Sequence, residues 1–234
     1  MCRLLAFRSK EINRSFVSAL VKSAENDIYS RYGMHPHGWG IVCYIKKGSK
    51  WRILYHKSTL PIYQDESLVE ILDIIKGDEV VGIIHARRAS KEFLLGVLHN
   101  HPYYYSLKDK ELFFAHNGSV KRDVFKYKEL QRTDSYLVFM EIIDLLNTFD
   151  VLESYKQVIN RLGPYSTSLN SSLLVFWDDE PNLYFAHYYN KFRIRDIEEY
   201  YKIYEVNGYV FSSTLKYYLG IEARSLELGE ILSL

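Results

Sequence analysis

The chain has few cysteines, almost no net charge and no long apolar run. Only Cys2 and Cys43 occur among 234 residues, which excludes a disulfide framework and fits a reducing compartment. The 30 basic residues are balanced by 29 acidic ones, so no broad basic field exists for binding nucleic acid. No apolar run reaches the roughly 18 residues of a membrane span, and the stretch at 4–7 is too short for a signal peptide. These absences predict a soluble, cytoplasmic protein without nucleic-acid or membrane partners.

Apolar residues are abundant instead, and their spacing predicts groups of strands and helices. They make up 47% of the chain, which excludes intrinsic disorder. Short apolar or β-branched runs predict strands at 3–7, 40–45, 51–56, 79–85, 112–115, 172–177, 183–187, 209–212 and 230–233. Helical spacing predicts helices at 12–24, 68–75, 134–146 and 151–162. Strands, a helix pair and strands again favour a layered α+β architecture, which we interpret as one domain spanning 1–234.

Cys2 is the first candidate for chemistry, because removal of Met1 would expose its α-amino group. A thiol of ordinary pKa about 8.5 would then lie beside an amine of pKa about 7.7–8.0, so one residue would supply nucleophile and base. Taken alone, Cys2 is more simply an ordinary cysteine that follows the initiator. Cys43 lies in an apolar run and is interpreted as a buried strand residue.

Further polar residues follow strands or begin helices, where loops converge on a site. They lie at 34–40, 85–90, 100–102, 115–118 and 133–135, and the stretch 87–110 lacks any clear periodicity, as functional loops often do. Each alone has an ordinary explanation, since Asn117-Gly118 is a common turn and Asp134 suits a helix cap. Together with Cys2 and Arg87, these residues can supply the nucleophile, base, oxyanion donors and charged groups of an acyl-transfer site.

The ordered set of these segments resembles a known family. The matching motifs run through nearly the whole chain: Met1-Cys2-Arg3-Leu4-Leu5, His35-Pro36-His37-Gly38-Trp39-Gly40-Ile41, His85-Ala86-Arg87-Arg88-Ala89-Ser90, Asn100-His101-Pro102, Phe114-Ala115-His116-Asn117-Gly118, Thr133-Asp134-Ser135, Ser168-Leu169-Asn170 and Val210-Phe211-Ser212-Ser213. They resemble the class II glutamine amidotransferases of the N-terminal nucleophile hydrolase superfamily, and most of all the stand-alone branch without a fused synthase domain. Single motifs are weak, but their order, anchored by Cys2, is highly specific.

The resemblance implies both a fold and a reaction. The fold is a four-layer αββα sandwich, in which two antiparallel sheets lie face to face and helices cover them. The reaction is attack by Cys2 on the side-chain carbonyl of glutamine, with its own α-amine as base. A γ-glutamyl thioester would form, and glutamate and ammonia would be released. No cofactor is implied.

The resemblance also assigns roles to individual residues. The Asn117 amide and the Gly118 N–H would form the oxyanion hole. Arg87 would bind the substrate α-carboxylate, Asp134 its α-ammonium group, and Ser90 would line the carboxylate pocket. Four more residues are candidates for supporting positions around the site: His85, His101, His116 and Trp39.

Two residues depart from the family pattern. Arg88 stands where sugar-synthase relatives have tryptophan, so the loop that closes over glutamine is expected to behave differently here. His37 stands where the stand-alone branch often has aspartate. The roles of both residues stay open.

A metal site is a rival use of the histidines at 35, 37, 85, 99, 101 and 116. The sequence has no HExxH or paired CxxC pattern, and histidines at loop–strand junctions more often satisfy backbone groups. We therefore expect no metal.

Two alternatives to glutamine hydrolysis also stay open. One is a γ-glutamyl peptide hydrolase acting on glutathione-like compounds, since Arg87 and Asp134 would recognise the same head group. The other is a catalytically silent binding module, which follows if Met1 is retained and the amine is blocked. A separate synthase that uses the ammonia is a candidate partner, and the state of oligomerisation is open.

Overall fold

Strands dominate the centre of the computed structural model, which describes residues 2–194 and 197–234. Within these residues they form a seven-stranded and a five-stranded sheet, and every pairing is antiparallel. The larger sheet contains β1 (Arg3–Ser9), β2 (Trp39–Lys47), β3 (Lys50–Ser58), β4 (Glu79–Ala86), β9 (Ile203–Val206), β10 (Tyr209–Ser212) and β11 (Arg224–Ser225). The smaller sheet contains β5 (Tyr103–Leu107), β6 (Lys110–Asn117), β7 (Asn170–Trp177), β8 (Glu180–Ala186) and β12 (Ile231–Ser233). Their orders are β11-β9-β10-β1-β4-β2-β3 and β12-β8-β7-β6-β5.

The first strand shows how residue alternation builds the layers. Successive side chains of a strand point to opposite faces. In β1, Leu4 and Ala6 lie in the core between the two sheets, whereas Leu5 and Phe7 lie in the core beneath the helices. All four side chains are fully buried, so the strand reads as an unbroken apolar run.

Helices cover the outer face of each sheet. They are α1 (Arg14–Glu25), α2 (Ser67–Ile74), α3 (Asp134–Leu145), α4 (Val151–Leu162), α5 (Glu198–Tyr201) and α6 (Ser213–Leu219). Leu20 of α1, Leu72 of α2 and Leu215 of α6 pack on the larger sheet. Phe139 of α3 and Val158 of α4 pack on the smaller one. The layers therefore run helix, sheet, sheet, helix, which confirms the predicted α+β sandwich.

The differences from the predicted elements lie in short or half-exposed segments. The stretch 87–110 contains β5, in which Tyr103 alone is fully buried, so no apolar run marks it in the sequence. The elements β9 and α6 span four and seven residues, too short to show a clear period. None of the helices in the described ranges combines the length and apolar character that crossing a membrane requires.

Candidate active site

A pocket lies where the ends of β1, β4 and β6 meet the start of α3. Strands β1 and β4 are antiparallel neighbours, with Arg3 opposite Ala86. Cys2, which precedes β1, and Arg87, which follows β4, therefore lie at the same end of the two strands. Strand β6 ends nearby in the facing sheet, and α3 begins at Asp134. The pocket has a volume of about 380 Å³, within the range of about 300–1,000 Å³ found for small-molecule sites.

Cys2 lies on the pocket wall, held by the Arg88 main chain and the Asn117 side chain. Cys2 is 8% exposed to solvent. The N–H of Arg88 donates to the Cys2 Sγ atom at 3.3 Å, and the thiol lies 3.7 Å from the Arg88 carbonyl oxygen. The Cys2 N–H donates to Asn117 Oδ1 at 3.0 Å. These contacts fix both the sulfur and the main-chain nitrogen of Cys2.

In the Asn117 side-chain amide the oxygen is hydrogen-bonded and the nitrogen is not. Its Oδ1 accepts the bond from Cys2, and its carbonyl accepts a bond from the Ser168 hydroxyl at 2.9 Å. Its Nδ2 is buried without a hydrogen-bond partner. A buried donor without a partner costs about 1–3 kcal/mol, so this amide is suited to a ligand that supplies an acceptor.

Gly118 continues the turn in a space that admits no side chain. A Cβ atom there would lie 1.9 Å from the Ser168 carbonyl oxygen and 2.7 Å from His116 Nε2. Glycine allows this close approach because it has no Cβ. Gly118 therefore brings bare main chain to the pocket wall.

Arg87 and Asp134 bring opposite charges to the same pocket. Arg87 is 4% exposed, and its Nη1 is buried without a partner. Asp134 accepts bonds from the N–H groups of Val120 at 2.8 Å and Ser135 at 3.0 Å. The side-chain cap of α3 is Thr133, whose hydroxyl accepts from a main-chain N–H. Asp134 is thus not the capping residue, and its carboxylate borders the space beside Cys2.

The remaining predicted residues divide between the pocket and its surroundings. Ser90, His101 and His116 line the pocket. His85 lies behind His101, with His85 Nε2 2.9 Å from His101 Nδ1. Burial lowers the pKa of both rings well below the usual value, so both are neutral at pH 7. Trp39 does not line the pocket; it is buried in the core beneath the helices.

His116, which precedes Asn117 and Gly118, contacts the helix that carries Asp134. Its Nδ1 lies 2.9 Å from the Ser135 hydroxyl and its Nε2 lies 3.1 Å from the Ser168 carbonyl oxygen. A carbonyl only accepts, so Nε2 carries the proton and Nδ1 accepts from the hydroxyl. In the described ranges, no three histidine, cysteine or acidic side chains are grouped to hold a metal ion.

Comparison with known sequences places the chain in a family. The sequence pattern of the family described as class-II glutamine amidotransferases matches residues 1–173, well over half of the 234 residues. The chain belongs to the class II glutamine amidotransferases. An uncharacterized protein of Methanocaldococcus jannaschii is 29% identical to this chain over 157 residues, which are 64% of this chain and 40% of that protein.

Solved structures share the fold of this chain. The allosteric regulatory enzyme of purine biosynthesis aligns with a TM-score of 0.64 and 17% identity, over 100% of this chain and 46% of that one. A glutamine aminotransferase class-II domain protein from Silicibacter pomeroyi aligns with a TM-score of 0.54 and 15% identity, over 99% of this chain and 94% of that one. The chain thus spans less than half the length of the Methanocaldococcus protein and of the purine enzyme.

The chain has a buried ion pair next to Cys2 that sequence reasoning missed. Arg3 Nε donates to Asp27 Oδ2 at 2.5 Å, and His35 Nε2 lies 2.7 Å from the same oxygen. Thr214 donates to Asp27 Oδ1 at 2.6 Å. Burial lowers the pKa of His35 to about 4, so its neutral ring donates through Nε2. The available signal is Arg3 itself, a charged residue directly before the apolar run 4–7.

The two residues that depart from the family pattern shape the loop after β4. The His37 Nδ1 atom accepts a bond from the Ala89 N–H at 2.8 Å. The Arg88 guanidinium reaches the Met34 carbonyl oxygen at 2.7 Å, while its main chain contacts the Cys2 sulfur. Together they connect the loop before β2 with the loop that supports the sulfur.

Proposed function

We propose that this chain hydrolyses the side-chain amide of glutamine to glutamate and ammonia through a γ-glutamyl thioester on Cys2. One observation carries the proposal: the Asn117 amide bonds Cys2 through its oxygen and keeps a buried, unpaired Nδ2 donor beside it. Such a donor is what a developing oxyanion needs. Membership in the class II glutamine amidotransferases supports the choice of substrate.

In this proposal Cys2 supplies both nucleophile and base. Removal of Met1 would leave an α-amine of pKa about 7.7–8.0, able to accept the thiol proton near neutral pH. The main-chain nitrogen already contacts Asn117, which would orient the amine. The Arg88 N–H that donates to the sulfur would stabilise the thiolate.

The oxyanion would form between Asn117 Nδ2 and the Gly118 N–H. These donors follow a buried strand that pairs with β7, so the turn is held in position before the reaction. Preorganised donors need no reorganisation as charge develops, and each is worth about 10²–10³ in rate.

The amino-acid head of the substrate would lie between Arg87 and Asp134. The unpaired Nη1 of Arg87 would bind the α-carboxylate. Asp134 would accept from the α-ammonium group, and Ser90 would line the carboxylate end of the pocket. The released ammonia would either pass to a separate synthase or diffuse away.

The proposal is tested by hydrolysis and by labelling of the sulfur. We expect the purified chain to release ammonia from glutamine, Cys2→Ala to be inactive yet folded, and mass spectrometry to find Met1 removed. A diazoketone analogue of glutamine should label Cys2. Cys43 is the internal control, because it is fully buried and burial raises the pKa of its thiol.

Labelling should survive in Cys43→Ala and vanish in Cys2→Ala. Labelling of Cys43 alone, or full ammonia release by Cys2→Ala, would contradict the assignment. Retention of Met1 together with inactivity would favour a binding module.

A further inference from the structure

Lys57 differs from the other lysines that contact an aromatic ring. Its Nζ atom lies 5.4 Å from the ring centroids of both Tyr55 and Tyr103. Within residues 2–194 and 197–234, no other lysine contacts two rings, and no carboxylate forms an ion pair with Lys57. Most lysines that contact one ring are paired with an acid at 2.7–3.9 Å: Lys46 with Glu180, Lys110 with Asp109, Lys126 with Asp144 and Lys216 with Glu222. Lys57 is thus a half-buried amine whose neighbours are rings rather than acids.

The side chain of Lys57 links the two sheets at the edge formed by their last strands. Strand β3 ends the larger sheet and β5 ends the smaller one, and Lys57 contacts a tyrosine of each. By the alternation of a strand, Lys57 shares a face with Tyr55, whose ring packs on Phe113 of the smaller sheet at 5.1 Å. Opposite Lys57 in β2 is Gly40, where a Cβ atom would lie 3.1 Å from the Lys57 Cγ atom. The glycine therefore leaves room for the lysine stem, while the amine lies near the solvent at the sheet edge.

The charges around this amine favour its neutral form. Burial and the positive charge of Arg132 lower the pKa of Lys57 to about 8. The other titratable groups facing it are the two tyrosines, whose pKa values burial raises, and His101, whose pKa burial lowers. All three are neutral at pH 7. At pH 8 about half of the Lys57 amines carry a free lone pair, compared with less than about 1% for a lysine of ordinary pKa about 10.4.

The same surroundings select the kind of modification that fits. An imine takes up a proton and keeps a positive charge beside Arg132. A carbamate would bring a negative charge against two ring faces, which themselves carry negative partial charge. An amide is neutral, because acylation removes the lysine charge. Acylation therefore suits this position better than either of the other two products.

We infer that Lys57 is a site of Nε-acylation by activated acyl donors such as acyl phosphates. The inference is independent of the proposed function, because Cys2 takes no part in it. The neutral Nζ atom attacks the acyl carbonyl carbon, and the C–O bond to phosphate breaks. Inorganic phosphate leaves with the electron pair of that bond, the amine proton passes to water, and an amide remains. The step needs no oxidant or reductant.

The test is acetylation by acetyl phosphate, followed by mass spectrometry of the peptides, at a series of pH values from 7 to 10. At pH 8 we expect Lys57 to be acetylated at least about tenfold faster than Lys126, because the ion pair with Asp144 raises the pKa of Lys126. The Lys57 rate should level off above about pH 8, whereas the Lys126 rate should still rise at pH 10. Lys91 is a second control, since it is exposed and contacts the single ring of Phe93; it too should react more slowly than Lys57.

A charge-reversal variant tests the part played by the neighbouring cation. Arg132→Glu places a carboxylate where Arg132 now disfavours the charged amine. We expect it to slow acetylation of Lys57 at pH 8 by about tenfold and to move the levelling of the rate to higher pH. The matched control is Arg52→Glu, on the same strand but exposed, which should keep the wild-type rate.

Three results would overturn the inference. They are acetylation of Lys57 no faster than that of Lys91, a Lys57 rate that still rises at pH 10, and a rate advantage that persists in concentrated urea. The last would mean that the local sequence, rather than the fold, makes the amine reactive. Lys57 would then be an inward-pointing charge on an edge strand, which hinders pairing with another chain.

Discussion

At the scale of single residues, Asn117 shows how one amide can serve two groups. Its oxygen bonds the Cys2 N–H at 3.0 Å, and its nitrogen is left buried without a partner. Asn117→Ala removes both the acceptor oxygen and the donor nitrogen, whereas Asn117→Asp removes only the donor. This difference makes the role of Asn117 testable.

We expect Asn117→Ala to lower kcat for glutamine by about 10²–10³ with little change in KM, because an oxyanion bond strengthens in the transition state. Asn117→Asp keeps an acceptor for Cys2 but replaces the donor with a negative charge, and it should be slower still. Steady-state kinetics measure both variants. Asn147→Ala, on an exposed loop, is the control. Unchanged turnover in Asn117→Ala would remove the oxyanion assignment and leave the family membership as it stands.

Arg87 and Asp134 should affect binding more than turnover. A hydrogen bond to a charged group contributes about 1.5–3 kcal/mol, so Arg87→Gln and Asp134→Asn should each raise KM for glutamine roughly ten- to a hundredfold. Substrate titration checks this, with thermal unfolding recorded in parallel. A lowered melting temperature with an unchanged KM would mean that the residue is structural.

At the scale of elements, the Arg3–Asp27 pair connects β1 to the segment after α1. A second pair, Arg14–Asp73, has the same 2.5 Å separation but joins half-exposed side chains of α1 and α2. Because the two ion pairs have the same separation and differ in solvent exposure, comparing them tests how exposure changes the contribution of an ion pair to stability. Burial raises the pKa of Asp27. The Arg3 charge and the hydrogen bonds from His35 and Arg3 outweigh this effect and hold that pKa below its usual value.

We expect Asp27→Asn to lower the free energy of unfolding by about 3–5 kcal/mol, since it leaves the buried Arg3 charge uncompensated. Asp73→Asn should cost no more than about 1 kcal/mol, because water screens the exposed pair. Urea unfolding of both variants makes the comparison. Similar losses in the two proteins would contradict the role given to burial.

Elements were predictable from sequence where the local pattern is strong. Strand β1 and helix α3 are apolar and long enough to show their type, and both are present. Strand β5 was missed because tyrosines occupy both of its faces: Tyr103 and Tyr105 pack beneath the helices and Tyr104 is exposed, so no apolar–polar alternation shows in the sequence. Candidate site residues could be named from the sequence because their motifs occur in the order typical of the family. The Arg3–Asp27–His35 contacts could not, because they join residues far apart in sequence and no local period encodes them.

At the scale of the whole molecule, buried neutral histidines couple folding to pH. Burial lowers the pKa of His35 and His187 to about 4. In the unfolded chain these rings take up protons near pH 6.5, so the unfolded state binds more protons between about pH 6.5 and 4. Stability is therefore fully present above that window and falls as the pH drops through it.

We expect the free energy of unfolding to fall between about pH 6.5 and 4, by up to about 1.4 kcal/mol per pH unit for each such histidine. Urea titrations at a series of pH values measure the slope. His187→Gln should show a shallower slope, since one titrating ring is gone. A urea concentration at half-unfolding that stays constant from about pH 7 to 5 would contradict this coupling.

The position of β1 between β4 and β10 also has a consequence for biosynthesis. Leu5 pairs with Ile84 on one side and with Phe211 on the other. At about 5–20 residues per second, a ribosome makes Phe211 roughly 10–40 s after Leu5. Throughout that interval one edge of β1, the strand that follows Cys2, has no neighbour. We therefore expect the larger sheet, in which β1 is a central strand, to be completed only after Phe211 has been synthesised.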